Sequence, residues 1–151
     1  MKKLQFQACD SGDIHKLKLF MNELDEFHFV NSNEFININK DYDDSYFLGD
    51  NTETFIIWND CSIIGFYRLK IFFNSLVYNE SYVVLDPLFI KKDYRNKGIG
   101  LQVMDEIEKY VASIKINSIL LNVWSFNDVA LKLYSRLGYK NIKFLMKKDI
   151  V

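Results

Sequence analysis

The sequence predicts an α/β fold with a mixed sheet. Three observations carry this. Strand-patterned and helix-patterned runs alternate through the second half of the chain. Residues 54–58 and 62–73 flank a turn at Asn59-Asp60 and read as an antiparallel hairpin. The run Asp93-Tyr94-Arg95-Asn96-Lys97-Gly98-Ile99-Gly100 is a glycine turn between a strand-like stretch and a helix-like one.

Element by element, Leu4-Gln5-Phe6-Gln7 alternates as a first strand. Asp10-Ser11-Gly12-Asp13 is a turn and helix start. Ile14, Leu17, Phe20, Met21 and Leu24 then recur at helical spacing. Residues 26–50 are less regular, with aromatics (Phe27, Phe29, Phe35, Tyr42, Tyr46, Phe47) among Asn and Asp. They read as a short helix with loops. After the hairpin, residues 81–90 form the next strand. The helix behind the glycine turn sets Ile99, Val103, Ile107, Tyr110, Val111 and Ile114 on one face. Residues 119–124 are a continuous apolar strand, interrupted only by Asn122, which predicts a central position covered on both faces. Val129, Ala130, Leu133, Tyr134 and Leu137 make a second amphipathic helix, stopped by Gly138. Residues 139–149 read as a last strand.

At 151 residues, 49% apolar and 16% aromatic, the chain reads as one globular domain, 1–151. A formal net charge of −1 gives no reason to expect nucleic acid or an anionic membrane as partner. Lys2-Lys3 and Lys147-Lys148 read as solvated ends. No apolar run reaches spanning length and the N-terminus lacks an apolar leader core, so a cytoplasmic protein is expected. Cys9 and Cys61 read as buried free thiols of a reducing compartment. Cysteine and histidine are too sparse for a zinc site, and no metal is expected. His15 and His28 fall in the N-terminal helical region and read as surface or satisfied core residues.

Pro87 is the single proline and lies within the strand that leads to the glycine turn. It marks either a strand end or a bulge, and the neighbouring pattern argues against an edge. A bulge near Asp86-Pro87 would part this strand from residues 119–124. Backbone groups of Leu88, Phe89 and Ile90 would then be free to pair with an extended, amide-bearing ligand. The glycine turn beyond them suits an anion. Glycines at 98 and 100 let a phosphate approach, and first-turn amides have no partner within the helix. The dinucleotide pattern G-x-G-x-x-G is absent.

A diphosphate joined to an amide-bearing arm describes coenzyme A. Here the chain resembles the GCN5-related N-acetyltransferase (GNAT) superfamily. Arg95-Asn96-Lys97-Gly98-Ile99-Gly100 is similar to its R/Q-x-x-G-x-G/A signature, and residues 88–94 to the strand before it, with Lys92 where proline is frequent. Residues 127–139, from Asn127 through Ala130 and Tyr134 to Gly138-Tyr139, resemble the N-x-x-A-x-x-x-Y-x-x-x-G-F/Y element. The N-terminal half fits by element order and by Ile64-Gly65. The resemblance implies a mostly antiparallel central sheet, splayed between its fourth and fifth strands, with helices on both faces.

It further implies an acetyl-CoA-dependent N-acetyltransferase acting on a small-molecule or peptide amine by direct attack, without metal. The amides of Arg95, Asn96, Lys97, Gly98, Ile99 and Gly100 would hold the pyrophosphate. Arg95 itself would pair with a phosphate, or with solvent or an acidic neighbour. Leu88, Phe89 and Ile90 would pair with the pantetheine arm and steady the oxyanion. Asn127 would cap its helix, contact the cofactor, or both. Tyr134 would protonate the leaving thiolate, its alternative being a core tyrosine. The matching place for a base on the next strand holds Asn122, so Asp86 or a water chain would serve. Asp41, Asp43, Asp44 and Asp50 would either attract a cationic amine or form a solvated loop. About thirteen residues follow Gly138, enough for one long strand or two short ones. Substrate discrimination would then rest on the N-terminal half or on the second subunit of a homodimer. Three readings remain beside this one: transfer of another acyl group, a catalytically silent coenzyme A-binding sensor, and a structural domain without coenzyme.

Overall fold

A computed structural model of the chain describes residues 3–32, 34, 37–38 and 40–150. The expectations attached to Lys2 and Phe35 lie outside the described residues. Among the described residues five strands form one sheet in the order β1-β2-β3-β4-β5. They are β1 (Gln5–Ala8), β2 (Thr52–Asn59), β3 (Ser62–Ser75), β4 (Glu80–Ile90) and β5 (Ile119–Leu121). Pairing is antiparallel except between β4 and β5, which run parallel. The helices are α1 (Ile14–Ser32), α2 (Asp44–Leu48), α3 (Ile99–Ser113) and α4 (Asp128–Arg136).

Alternation along β2 and β3 sends successive side chains to opposite faces, and each face acquires its own helices. Ile57, Ile64 and Tyr67 pack against Val103, Met104, Ile107 and Val111 of α3. Ile56, Ile63 and Phe66 pack against Leu17, Phe20 and Met21 of α1 and Phe47 of α2. Thr54 ties α2 to the sheet, its buried hydroxyl donating to the Phe47 carbonyl at 2.7 Å.

Helix boundaries follow local chemistry. Asp13 accepts the Asp10 amide at 3.1 Å, and Asp10 accepts the Gly12 amide at 2.8 Å, which closes the turn before α1. Asn127 Oδ1 accepts the Ala130 amide at 3.2 Å and caps α4. Gly138 takes φ +89° and lets the Tyr139 amide bond back to the Tyr134 carbonyl at 3.0 Å.

Several expectations are corrected. Helix α1 runs on to Ser32, since Phe27 and His28 find aromatic partners in Phe126 and Trp124. Of the irregular stretch that follows, α2 is helical. The hairpin loop is Asp60-Cys61, Asn59 still pairing with Ser62. Asp60 supplies the positive φ, 53°. Cys61 is exposed and Cys9 only half-buried, so neither thiol is buried as expected, although both are free. The apolar run at 119–124 is not a central strand. Only Ile119–Leu121 pair, all half-buried, at the end of the sheet. The strand expected at residues 139–149 does not form; among the described residues the segment has no ladder partner, and residues 140–150 are exposed. The two misreadings share a cause, because a strand becomes central only if another pairs with its far side.

Candidate active site

β4 and β5 stay together for the pairs Val83↔Ile119, Val84↔Leu120 and Leu85↔Leu121, and pairing then stops. The stop coincides with a bulge. Tyr67 faces Leu88 and Leu69 faces Leu85, so Asp86 and Pro87 together oppose Arg68. The Asp86-Pro87 peptide is cis. Beyond those pairs β4 runs on to Ile90 while β5 ends at Leu121, so the two strands are parted there and the gap between them is the candidate cleft.

Arg68 holds the bulge in place. Its Nη1 donates to the Asp86 carbonyl at 2.8 Å and its Nε to the Tyr46 carbonyl at 2.6 Å. The guanidinium also stacks on the Tyr46 ring, 3.9 Å from its centroid. Sequence reasoning missed this residue. A charged side chain within the mostly apolar central strand was the available signal. Gly65 contributes from the same strand. A Cβ there would collide with the Phe89 carbonyl, so glycine allows β3 to lie tight against β4.

The antiparallel ladder decides which backbone groups of β4 face the cleft. The Lys91 amide donates to the Ile64 carbonyl at 2.8 Å, so Phe89, two residues back, also turns its N–H and C=O toward β3. Leu88 and Ile90 turn theirs the other way, into the cleft. The Ile90 carbonyl is taken by Arg95 Nε at 2.7 Å. Sequence reasoning counted Leu88, Phe89 and Ile90 alike; here the Phe89 backbone belongs to β3 and its ring to the core.

At the end of β4, residues Lys92–Tyr94 form a single 3-10 turn. Asn96 and Gly98 then adopt left-handed backbone, φ 58° and 75°. Gly98 begins α3 without a side-chain cap, so the first-turn amides receive no side-chain acceptor. Asn96, Lys97 and Gly98 are exposed and Ile99 is buried as core. Gly100 also serves packing. A Cβ there would press against Leu133 Cδ2 at 3.0 Å, so its smallness lets α4 approach α3. Arg95 lies over Phe27 and Phe89, 5.7 and 5.8 Å from the ring centroids, and ties the turn to α1.

Asp86 and Tyr134 come within electrostatic reach of each other. Burial pushes the Tyr134 phenol up to about 12, and the Asp86 charge adds to the shift. Asp86 is exposed by surface area, yet crowding by neighbouring atoms partly desolvates its carboxyl and raises it above the ordinary range, against the pull of Arg68 and Lys40. Tyr46 is also pushed up to about 12, by burial first. Beside it, buried Asp25 accepts from Lys40 at 3.1 Å and from the Tyr42 hydroxyl at 2.5 Å. That carboxylate, on the buried face of α1, was also missed. His28 packs among Phe27, Trp124 and Phe126 with its pKa lowered, chiefly by burial.

The four acids picked from sequence are mostly engaged. Asp41 and Asp44 share Lys18 at 4.0 and 3.0 Å, and Asp43 caps α2 through the Ser45 amide at 2.8 Å. No group of three or more His, Cys, Asp or Glu that could hold a metal occurs among the described residues.

Solved structures with this fold include the tetramutant of BH1408 protein from Bacillus halodurans, at TM-score 0.85 and 18% identity over 97% of this chain and 99% of that one. An aminoglycoside acetyltransferase, HMB0005, from an uncultured soil metagenomic sample superimposes at TM-score 0.73 with 14% identity over 99% of this chain and 100% of the other. AAC(6')-Iy, solved in complex with the bisubstrate analog CoA-S-monomethyl-acetylneamine, matches at TM-score 0.69 and 14% identity over 99% of both chains. By sequence, histone acetyltransferase MCC1 of Arabidopsis thaliana is 26% identical over 99 residues, which is 65% of this chain but 38% of that protein's length. The profile of the Acetyltransferase (GNAT) family matches residues 17–139. With that profile laid over α1 through the end of α4, the chain belongs to the Acetyltransferase (GNAT) family.

Proposed function

We propose that this protein, as one unit over residues 1–151, transfers an acetyl group from acetyl-CoA to a primary amine of a small molecule or peptide. The observation that carries the reading is the parting of β4 from β5 after Leu85 and Leu121, next to a helix start at Gly98 with no side-chain cap. An extended thioester carrier needs both features, a strand edge for its amides and a nest of N–H groups for its diphosphate.

In this reading the first-turn amides from Gly98 to Gly100, with those of Arg95, Asn96 and Lys97, hold the diphosphate. Leu88 and Ile90 offer their backbone to the pantetheine arm, and an N–H of this wall faces the thioester oxygen as charge develops there. Asn127 lies at the start of the opposite wall. When bound, the thioester supplies the acyl carbon. Asp86, or a water it polarises, takes a proton from the ammonium. The freed amine nitrogen bonds to the acyl carbon, the carbon–sulfur bond breaks, Tyr134 gives its proton to the sulfur, and the nitrogen releases its remaining extra proton, which returns through water to the Tyr134 phenolate, leaving an amide and a thiol. A phenol held near 12 stays protonated at neutral pH, as an acid must before it acts. The acceptor enters by the α1–α2 side, past Tyr42 and Tyr46. Among the described residues no helix is long and apolar enough to cross a membrane, and the free thiols of Cys9 and Cys61 suit a cytoplasmic setting.

Thermal shift with acetyl-CoA, free coenzyme A and NAD tests the binding half. Coenzyme should raise the midpoint and NAD should not. An amine panel read by thiol release tests the chemical half. Tyr134→Phe should lower kcat about 100-fold while coenzyme affinity changes less than about twofold. Coenzyme binding without thiol release from any amine would favour the sensor reading. Release from a longer-chain thioester in preference to acetyl would replace the donor.

A further inference from the structure

We propose that Lys40 is an internal acceptor, and that the protein acetylates this side chain when no external amine is present. The inference rests on the acyl-transfer reading of the cleft and adds to it a modification site on the chain itself.

Lys40 carries a primary amine, the group that the transfer consumes, and it stands on the α1–α2 side by which the acceptor enters. A row of contacts leads from it to the bulge. Lys40 Nζ donates to Asp25 Oδ1 at 3.1 Å and to the Tyr42 hydroxyl at 3.4 Å. The Tyr42 and Tyr46 rings lie 4.9 Å apart, centroid to centroid. Arg68 stacks on Tyr46 at 3.9 Å and donates to the Asp86 carbonyl at 2.8 Å. The charges mark the same neighbourhood. Both phenols, raised first by burial, also feel Asp25 and Asp86. Desolvation raises the Asp86 carboxyl, and the two cations that oppose it are Arg68 and Lys40. Arg68 is a guanidinium already committed to two carbonyls, and it stays charged at every working pH. Of the two, only Lys40 can become a nucleophile.

Its resting partner holds it without trapping it. The Asp25 side chain is 6% exposed and needs a counter-charge, which Lys40 supplies. The Lys40 side chain is itself 40% exposed, so its flexible stem can turn through solvent. In the reaction the ammonium leaves Asp25 and gives one proton to Asp86 or to its water. The freed nitrogen bonds to the acyl carbon of the thioester, the carbon–sulfur bond breaks, and Tyr134 gives its proton to the sulfur. The nitrogen's remaining extra proton returns through water to the Tyr134 phenolate. The products are a neutral acetamide on Lys40 and a free thiol. One turnover per chain therefore uses up the amine and removes the counter-charge of Asp25.

The full chain incubated with acetyl-CoA and no added amine, followed by thiol release and peptide mass spectrometry, tests this. The expected result is a burst of about one thiol per chain, with the acetyl group on Lys40. Lys40 should react at least about tenfold faster than Lys109, whose ammonium is also held by a carboxylate but lies on the exposed side of α3. The rate constant should stay the same over about a 100-fold range of protein concentration, as an intramolecular step requires. Tyr134→Phe should slow Lys40 about 100-fold and leave Lys109 within about twofold. Lys40→Arg keeps the counter-charge of Asp25 and should abolish the burst. Acetylation of Lys40 no faster than of Lys109, a rate constant that rises with protein concentration, or a burst that survives Lys40→Arg would each overturn the proposal. Thiol release from an added amine with Lys40 left unmodified would remove the internal acceptor alone. No stabilisation by coenzyme would remove acyl transfer together with it.

Discussion

Asp86 is held in a state that costs the fold something. Its folded pKa is raised, mainly by partial desolvation, although the residue as a whole is exposed. A carboxylic acid with a raised folded pKa binds protons more readily folded than unfolded. Its contribution is therefore most favourable at low pH and is lost as pH climbs from the unfolded value, near 3.8, through the folded one. Asp86→Asn should accordingly raise the melting point at pH 7, and the gain should shrink to nothing below about pH 4. If Asp86 is the base, the same variant should lose turnover at pH 7 while binding coenzyme A normally. A variant that is less stable at pH 7 would show that Arg68 and Lys40 outweigh desolvation. Gly98 makes a comparable demand on a single residue. At φ 75° it occupies backbone space that costs an alanine about 1–2 kcal/mol. Gly98→Ala should lower stability by that amount and weaken coenzyme binding in titrations.

Between elements, the bulge is where sequence reading worked and also where it ran out. Pro87 in a strand flanked on both sides is a local contradiction, and the contradiction located the break in the ladder. The glycine turn, α3 and α4 were legible for similar reasons, because turn chemistry and a 3.6-residue period are local properties. Arg68 was not legible. Its value comes from standing opposite two residues rather than one, which depends on register between strands. The edge position of β5 was likewise hidden, since an apolar run reports that burial is favoured but not what provides it. Of the candidate site, the left-handed backbone of the Gly98 turn was readable, and the Arg68 brace and the Asp25–Lys40–Tyr42 group were not. Arg68→Lys tests the brace. A lysine keeps the charge but cannot reach two carbonyls and stack at once. The variant should lose about 1–3 kcal/mol in denaturant unfolding and bind coenzyme A less tightly. Unchanged affinity would show that the bulge stands without it.

Across the whole molecule, two parts meet at a short seam. β1 through β4 form long antiparallel pairs with α1, α2 and α3 packed on both faces. β5 and α4 are joined to them by three parallel pairs and by side chains that are only half-buried. Such a seam should open in fluctuations that leave the larger part folded. A ligand lying in the cleft touches both parts, so every opening of the seam must first release it. At a free concentration about 100 times the Kd, that requirement adds about 2.7 kcal/mol to the opening, a factor of about 100 in the population of the open form. Openings confined to β2 and β3 do not destroy the site and gain nothing. Hydrogen exchange at one fixed protein concentration, with and without coenzyme A, should therefore slow at β5, α4 and the first turn of α3 and stay nearly constant in the β2–β3 hairpin. Equal slowing in both parts would mean that the seam opens only when the whole chain unfolds. No slowing at α4 would mean that the ligand sits on one wall and does not bridge the cleft.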